Sequence, residues 1–155
     1  YSDDENWLVR MNESVGRNKG NTCEYNFGMN GNTNEKLVEL LGDANIAKLG
    51  LIKKTILIRL ILHPPGNGAA WHKDNPTASY RLKFPDLDHN NGEIVRYWFS
   101  AIDWKNGQVF QIGDTVLSHW KAGDVYQIPF GVPHASMNFG YNFKYTVALT
   151  GMKRA

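Results

Sequence analysis

Two histidines and one aspartate supply the residue types that bind a divalent transition metal. His72 and Asp74 are separated by one residue, and in an extended segment residues i and i+2 point to the same side. His134 follows much later, directly after a proline-containing turn at residues 129–133, where the chain can return beside the first pair. Two imidazoles and one carboxylate that leave other coordination positions open are typical of non-haem Fe(II) sites. The alternative for an isolated His-x-Asp pair is a buried histidine that is hydrogen-bonded to a carboxylate.

A second polar pair lies about ten positions beyond His134, in an apolar segment at residues 143–149. Lys144 and Thr146 alternate with apolar residues, so on a strand both side chains face the same side. A lysine that points into a β-barrel is costly unless an anion pairs with it. One interpretation is therefore that Lys144 binds a carboxylate and that Thr146 donates a hydrogen bond to the same group. The other interpretation is that both side chains face solvent on an edge strand.

The remaining polar residues carry weaker signals. Cys23 is the only cysteine, which excludes a disulfide within the chain and a zinc site built from several cysteines. Asn138 points to the same side as His134 by strand alternation and is a candidate for supporting a metal ligand. Arg81 and Arg96 could reach a carboxylate, although exposure on a strand is the simpler expectation for both. Three further histidines have no partner at ligand spacing: His63, His89 and His119.

Short β-rich segments separated by turn residues begin at about residue 54. The first, at residues 55–62, is rich in branched aliphatic residues and ends at the breaker sequence His-Pro-Pro-Gly-Asn-Gly. Seven or eight closely spaced strands without helical segments between them indicate an all-β sandwich or barrel, and a jelly roll fits this count and length. The further predicted strands are residues 79–84, 94–104, 108–112, 115–120, 124–128, 134–139 and 143–150.

The N-terminal third has a different composition. Residues 12–34 are dense in Asn and Gly, which predicts loop or weakly structured cover. A short helix is predicted at about residues 34–41, with an Asn or Thr cap and Gly42 at its end. A second helical turn is predicted at residues 43–48. The predicted fold class is therefore mainly β, with one or two short N-terminal helices.

The length favours one domain over residues 1–155. Within it, residues 1–53 form the predicted N-terminal cover and residues 54–150 the jelly-roll core. The loop at residues 64–70 and the Asn/Gly-rich N-terminal region are candidates for a rim or lid over the site, because both lie close in sequence to the first ligand pair.

Composition also limits the choice of partners. Lys plus Arg number 17 and Asp plus Glu number 15, a formal net charge of +2 that lacks the basic excess of a polyanion-binding protein, so no nucleic-acid partner is expected. No apolar run approaches the ~20 residues that span a bilayer, and the acidic N-terminus has no signal-peptide pattern. Together with the single cysteine, these features predict a soluble, cytoplasmic protein with no membrane partner. No feature indicates an oligomeric state.

The candidate metal ligands belong to a longer pattern. His72-x-Asp74, the distal His134 and a basic residue ten positions later resemble the Fe(II)- and 2-oxoglutarate-dependent oxygenases, in particular their prolyl hydroxylase branch. The run from Trp120 through Gly123 to His134 and Asn138 is also similar to the W-x-x-G-[DE] … H-x-x-x-N pattern of the aspartyl/asparaginyl β-hydroxylase branch. The resemblance covers about residues 55–150.

This resemblance implies a double-stranded β-helix (jelly roll) in which His72, Asp74 and His134 bind Fe(II). It also implies that Lys144, assisted by Thr146, anchors the cosubstrate 2-oxoglutarate, and that O2 is the oxidant. The β-hydroxylase branch commonly lacks the metal carboxylate, whereas Asp74 is present here. The branch, and with it the substrate, therefore stays open.

The activity implied is hydroxylation of an amino-acid residue (prolyl or Asp/Asn) or of a small molecule, with succinate and CO2 as the other products. One alternative is a cupin-type metalloenzyme that has the same jelly roll and metal but uses no 2-oxoglutarate. The other is a non-enzymatic β-sandwich that serves as a binding or structural module. The strand aromatics that could line a substrate pocket, although most such residues are core, are Tyr80, Trp98, Phe110, Tyr126 and Phe130.

Overall fold

Two antiparallel β-sheets make up most of the computed structural model, which describes residues 25–27, 31–74, 80, 83–87 and 92–154. Predictions for residues 1–24, Arg81 and His89 lie outside these described residues. In chain order the elements are β1 (Tyr25–Phe27), α1 (Gly31–Leu41), α2 (Asp43–Lys48), a 3-10 helix (Lys53–Thr55), β2 (Leu57–His63), β3 (Asn67–His72), β4 (Gly92–Ser100), β5 (Gln108–Ile112), β6 (Thr115–Leu117), β7 (Val125–Gln127), β8 (His134–Asn138) and β9 (Lys144–Arg154).

The strand order defines the fold. The larger sheet has the order β1-β2-β9-β4-β7 and the smaller sheet the order β3-β8-β5-β6. Counted from β2, the eight strands have the orders one-eight-three-six in the larger sheet and two-seven-four-five in the smaller sheet, the arrangement of a jelly roll. β1 extends the larger sheet beyond β2, with Tyr25 opposite Leu62. The predicted fold class, a mainly β double-stranded β-helix with short N-terminal helices, is confirmed.

The helices cover the outer face of the larger sheet. Val38 of α1 and Ile46 of α2 are buried in one apolar cluster with Ile58, Val95 and Leu149 from three strands of that sheet. This cluster uses the outward-facing residues of β2, β4 and β9. The inward-facing residues of the same strands are therefore left to face the smaller sheet. None of the helices in the described part of the chain is long and apolar enough to span a membrane.

The two helices lie close to their predicted positions. α1 ends before Gly42, which has the left-handed backbone (φ 78°) that favours glycine, and α2 has the predicted range. The predicted cap was wrong at Asn34, because α1 begins about one turn earlier. The Asn34 amide instead bridges α1 to β2: its Nδ2 donates to the carbonyl oxygen of Ile56, and its Oδ1 accepts from the N–H of Ile58, both at 2.9 Å.

Two segments differ from the predicted elements. The loop expected at residues 64–70 is mostly strand, because the turn is complete at Gly66 (φ 75°) and β3 begins at Asn67. Residues 67–69 pair with β8 and so do not form the expected lid. The strand expected at residues 79–84 is wrong at the described positions, since Tyr80 is helical and its carbonyl oxygen accepts from the N–H of Phe84 at 3.0 Å. The other predicted strands are present, with their ends shifted by up to four residues.

Candidate metal centre

The structure brings the side chains of His72, Asp74 and His134 together. His72 ends β3, Asp74 follows two residues later, and His134 begins β8. β3 and β8 are neighbouring strands, and His72 lies opposite His134 in their register. One potential ligand atom from each of the three residues lies within 4.8 Å of the other two. This spacing is compatible with a metal ion that is held by all three side chains.

A β-bulge turns His72 towards the space between the sheets. Ala69 pairs with Ser136 and His72 pairs with His134, so the register shifts between Ala69 and His72. Both residues line the same cavity although they are three positions apart. Regular alternation would place them on opposite faces of the strand, and an extra residue in the bulge restores a common side.

Hydrogen bonds orient both imidazoles. The Nδ1 atoms of His72 and His134 lie 2.7 Å and 3.2 Å from the carbonyl oxygens of Ala70 and Val132, respectively. A carbonyl oxygen only accepts, so we assign the proton to Nδ1 and the acceptor lone pair to Nε2 in both rings. The Nε2 atoms lie 3.8 Å and 3.0 Å from the two carboxylate oxygens of Asp74. With this assignment the lone pairs of both Nε2 atoms and the Asp74 carboxylate converge, which is the arrangement that a bound metal ion would use.

Arg96 contacts the same carboxylate. Its Nη1 pairs with Oδ2 of Asp74, and the residue is only 6 % exposed. The expectation that Arg96 is exposed on a strand is therefore wrong. The reason is that β4 lies between β9 and β7 in the larger sheet, and Arg96 is on the face that meets the smaller sheet. The guanidinium balances the charge of Asp74 and restricts the orientation of its carboxylate.

Lys144 and Thr146 share the inner face of β9. Both are buried, so the interpretation that they face solvent on an edge strand is wrong; β9 lies between β2 and β4. The Lys144 Nζ donates to the carbonyl oxygen of Val109 at 2.5 Å and to Oγ of Ser136 at 2.8 Å. Burial lowers the pKa of this amine from 10.5 to about 7. Thr146 lines the cavity directly, and its hydroxyl donates to the carbonyl oxygen of Ile61 at 3.4 Å.

The candidate ligands lie on a cavity of about 100 Å³ between the two sheets. Its basic lining residues are Arg59, His63 and Arg96, and its aromatic ones are Trp98 and Phe110. The last two rings stack with centroids 4.4 Å apart. The other three aromatics that were predicted to line a pocket, Tyr80, Tyr126 and Phe130, are not part of this lining. Lys144 is also outside the lining, and it contacts the cavity wall through Ser136.

Two lining residues were missed by the sequence analysis. His63, which has no partner at ligand spacing in the sequence, is buried, and its Nδ1 lies 3.5 Å from Oγ of Ser136. Arg59 interrupts the apolar run at residues 55–62, and that interruption is the available signal in the sequence. Asn138, by contrast, does not line the cavity. Its Nδ2 donates to the carbonyl oxygens of His63 and Asn142, at 2.9 Å and 2.8 Å, so it joins β2 to the loop before β9.

Comparisons with known proteins add neither a family nor an activity. No family model matches the chain, and no curated protein matches it. Among solved structures, the chain is similar to TT1209 from Thermus thermophilus, with 11 % identity, 91 % and 93 % of the two chains covered and a TM-score of 0.49. It is also similar to an uncharacterized double-stranded β-helix protein from Klebsiella pneumoniae (18 %, 63 % and 67 %, 0.41) and to a predicted oxalate decarboxylase from Thermotoga maritima (18 %, 64 % and 69 %, 0.43). The class that the strand order and the site define is a jelly-roll protein with a group of residues that could bind a metal.

Proposed function

We propose that this protein is a non-haem Fe(II)-dependent dioxygenase that uses 2-oxoglutarate and O2 to hydroxylate a substrate. The observation that carries the proposal is the convergence of two imidazoles and one carboxylate on the wall of the cavity between the two sheets. Such a ligand set leaves coordination positions for a bidentate 2-oxo acid and for O2. The substrate proposed is an amino-acid residue, prolyl or Asp/Asn, or a small molecule.

The residues present fit the metal that this proposal requires. His72 and His134 would each bind it through Nε2, and Asp74 would bind it through one carboxylate oxygen, with its charge shared with Arg96. Neutral imidazoles and a carboxylate are suitable ligands for Fe(II), and the site contains no thiolate among the described residues. When bound, Fe(II) supplies activation of O2, decarboxylation of the oxo acid to succinate and CO2, and oxidation of a substrate C–H bond.

The protein side chains bind, orient and exclude water. Thr146 would turn its hydroxyl from the carbonyl oxygen of Ile61 to donate to the distal carboxylate of 2-oxoglutarate, and Lys144 in its protonated form would supply the positive charge next to it. Lys144 would act from behind Ser136, which accepts from its Nζ. Trp98 and Phe110 form an apolar part of the wall, so they would limit the water that reaches the reacting C–H bond.

A cupin-type metalloenzyme without 2-oxoglutarate is the second candidate, and one observation favours it. The Nζ of Lys144 is already bonded to Val109 and Ser136 and is not exposed to the cavity. If Lys144 keeps these bonds, its amine cannot contact an oxo acid in the cavity directly. The same three ligands would then hold a metal for a reaction in which no oxo acid is consumed.

An anaerobic titration separates the two candidates. Fe(II) is added to the protein first, and 2-oxoglutarate is then added while the visible spectrum is recorded. The dioxygenase proposal predicts a new charge-transfer band from the chelate, and succinate release once O2 is admitted. His134→Ala should abolish both, because one imidazole ligand is lost. His119→Ala is the matched control, since His119 is exposed and stacks on Trp104 away from the cavity.

The outcomes are distinct. Fe(II) binding without a band or succinate would support the cupin-type alternative. No Fe(II) binding by the unmodified protein would contradict both candidates. Lys144→Ala should weaken 2-oxoglutarate binding sharply under the dioxygenase proposal and leave Fe(II) affinity largely unchanged.

A further inference from the structure

Arg59 is the second arginine of the cavity, and the pattern of β2 forces it inward. Its neighbours Ile58 and Leu60 pack in the apolar cluster beneath the helices, on the outer face of the larger sheet. Arg59 therefore points to the opposite face, together with Ile61 and His63, and lines the cavity with them. Arg59 could reach the outer face only if the register of β2 shifted by one residue, which would move every side chain of the strand to the opposite face.

Arg59 has no ion pair with any residue that the structure describes. The other cations near carboxylates are paired: Arg96 with Asp74, Lys53 with Asp43 and Lys121 with Asp103. A half-buried guanidinium between two sheets loses solvation, and a paired anion would restore the favourable interaction. In the sheet register Arg59 lies opposite Ala148, whose small side chain leaves room beside the guanidinium. The position is therefore suited to an anion that enters the cavity.

The charges around the cavity point to a ligand beyond the cosubstrate. When the histidines are counted as neutral, Arg59 and Arg96 contribute two positive charges to the lining and Asp74 one negative charge. The net charge of the lining is therefore +1. A divalent metal raises it to +3, and a dianionic oxo acid lowers it to +1 again, so one positive charge is left without a partner. The proposed cosubstrate anchor, Thr146 with Lys144, lies nearer the start of β9 than Ala148, opposite Ile61 and His63 of β2. Arg59 is thus left without an anion when the cosubstrate is in place.

We propose that Arg59 binds a carboxylate of the substrate, so that the enzyme acts on an acidic substrate. This inference rests on the proposed function, which assigns one carboxylate of 2-oxoglutarate to the metal and the other to Thr146 and Lys144. Arginine presents a planar pair of N–H donors that matches a carboxylate, which gives discrimination against a neutral amide of the same shape. Arg96 does not fulfil this role, because it is engaged with Asp74.

The test uses two probes of nearly identical shape, N-acetyl-L-aspartate amidated at its main-chain carboxyl and N-acetyl-L-asparagine amide. Their binding is measured by calorimetry, without metal and with Fe(II) and saturating 2-oxoglutarate under anaerobic conditions. The unmodified protein should bind the carboxylate probe about tenfold more tightly than the amide probe. Arg59→Gln should remove this preference, and Arg59→Lys should retain part of it. Lys48→Gln, which removes one exposed positive charge from α2, should leave the preference unchanged.

Each possible result of these binding measurements either supports or overturns the proposal. The proposal is overturned if the unmodified protein binds the two probes equally or binds neither, or if Arg59→Gln keeps the preference. It is also overturned if Arg59→Gln weakens 2-oxoglutarate instead, since Arg59 would then belong to the cosubstrate. A failure of the proposed function gives a different result. The charge-transfer band of the Fe(II)–2-oxoglutarate chelate is then absent, whereas the preference for the carboxylate probe can still be measured in the metal-free protein.

Discussion

The Lys144 amine is held in an environment that suits a neutral group better than a charged one. The residue is fully buried, and its Nζ lies 5.4 Å from the ring centroid of Trp120, 5.8 Å from that of Trp98 and 5.9 Å from that of Phe110. These rings and the hydrogen-bond acceptors around Nζ offset part of the hydration free energy that the ammonium group loses on burial. No carboxylate of the described residues pairs with it. Desolvation consequently lowers the pKa of Lys144 to about 7.

This shift predicts a pH-dependent stability. The pKa is lower in the folded protein (about 7) than its ordinary value of 10.5, so the unfolded chain binds more protons between these two values. The free energy of unfolding should therefore rise from about pH 7 towards pH 10.5, at up to ~1.4 kcal/mol per pH unit, and lose this contribution as the pH falls. Urea unfolding of the unmodified protein and of Lys144→Met at pH 7.5 and 9.5 measures the difference.

The difference in unfolding free energy between the two proteins should change by about 2 kcal/mol over this range, in favour of the unmodified protein at high pH. Lys48→Met serves as a control for loss of a lysine, because Lys48 is exposed on α2. A difference that is constant between the two pH values would show that Lys144 stays protonated in the folded protein.

Residue types and spacing were sufficient to select His72, Asp74 and His134 as a group, because metal binding depends on which side chains are present. They were not sufficient for Arg59 and Arg96. Strands in the middle of the larger sheet are covered on both faces, so their sequence has no polar side to mark the exterior. Which face an arginine occupies then depends on register and neighbouring helices, and neither is encoded in a local pattern.

At the scale of elements, the site depends on the pairing of β3 with β8. Both histidines are carried by these strands, and the bulge between Ala69 and His72 sets their common side. Gly68 lies just before the bulge, where the backbone of β8 approaches closely. A Cβ at Gly68 would overlap the carbonyl oxygen of Ser136 and lie 2.8 Å from Cα of Met137. Glycine is therefore required here by proximity and not by a left-handed backbone.

Gly68→Ala should separate β3 from β8 and disturb the metal centre. We expect a loss of about 2 kcal/mol in unfolding free energy and at least a tenfold (about 1.4 kcal/mol) loss in Fe(II) affinity. Gly66→Ala is the control: Gly66 has φ 75° and open space around its Cβ position, so it should cost about 1 kcal/mol from backbone strain and leave Fe(II) affinity unchanged. Unaltered Fe(II) affinity in Gly68→Ala would contradict the idea that this contact positions the histidines.

The elements that the sequence predicted well are bounded by clear turn residues, as at Gly42 and between residues 112 and 115. β3 was missed because its glycine and asparagine resemble a continued turn, although the turn takes only the residues up to Gly66. Residues 79–84 were predicted as one of the short β-rich segments between turn residues. Tyr80 and Phe84 are also four positions apart, and their rings are in contact at 5.0 Å, the neighbour spacing of a helix. Six residues are too few to distinguish these periodicities.

For the molecule as a whole, two apolar clusters are independent of the metal ligands. One joins the helices to the larger sheet, and the other, centred on Trp98, Phe110, Trp120 and Ile128, lies between the sheets. Neither cluster includes a candidate metal ligand. The jelly roll should consequently fold without metal, and the ligands at the ends of β3 and β8 should bind it afterwards.

Metal binding to an already folded protein predicts an added stability that depends on metal concentration. A ligand at one hundred times its dissociation constant stabilises the folded state by about 2.7 kcal/mol, which raises the melting temperature of a domain of this size by roughly 5–10 °C. Thermal unfolding with increasing Fe(II) under anaerobic conditions measures the shift, and a chelator should reverse it. His134→Ala should melt as a folded protein without the shift, whereas His119→Ala should retain it. A shift of equal size in His134→Ala would place the metal elsewhere, and cooperative unfolding only in the presence of metal would mean that the two apolar clusters do not suffice to hold the sheets together.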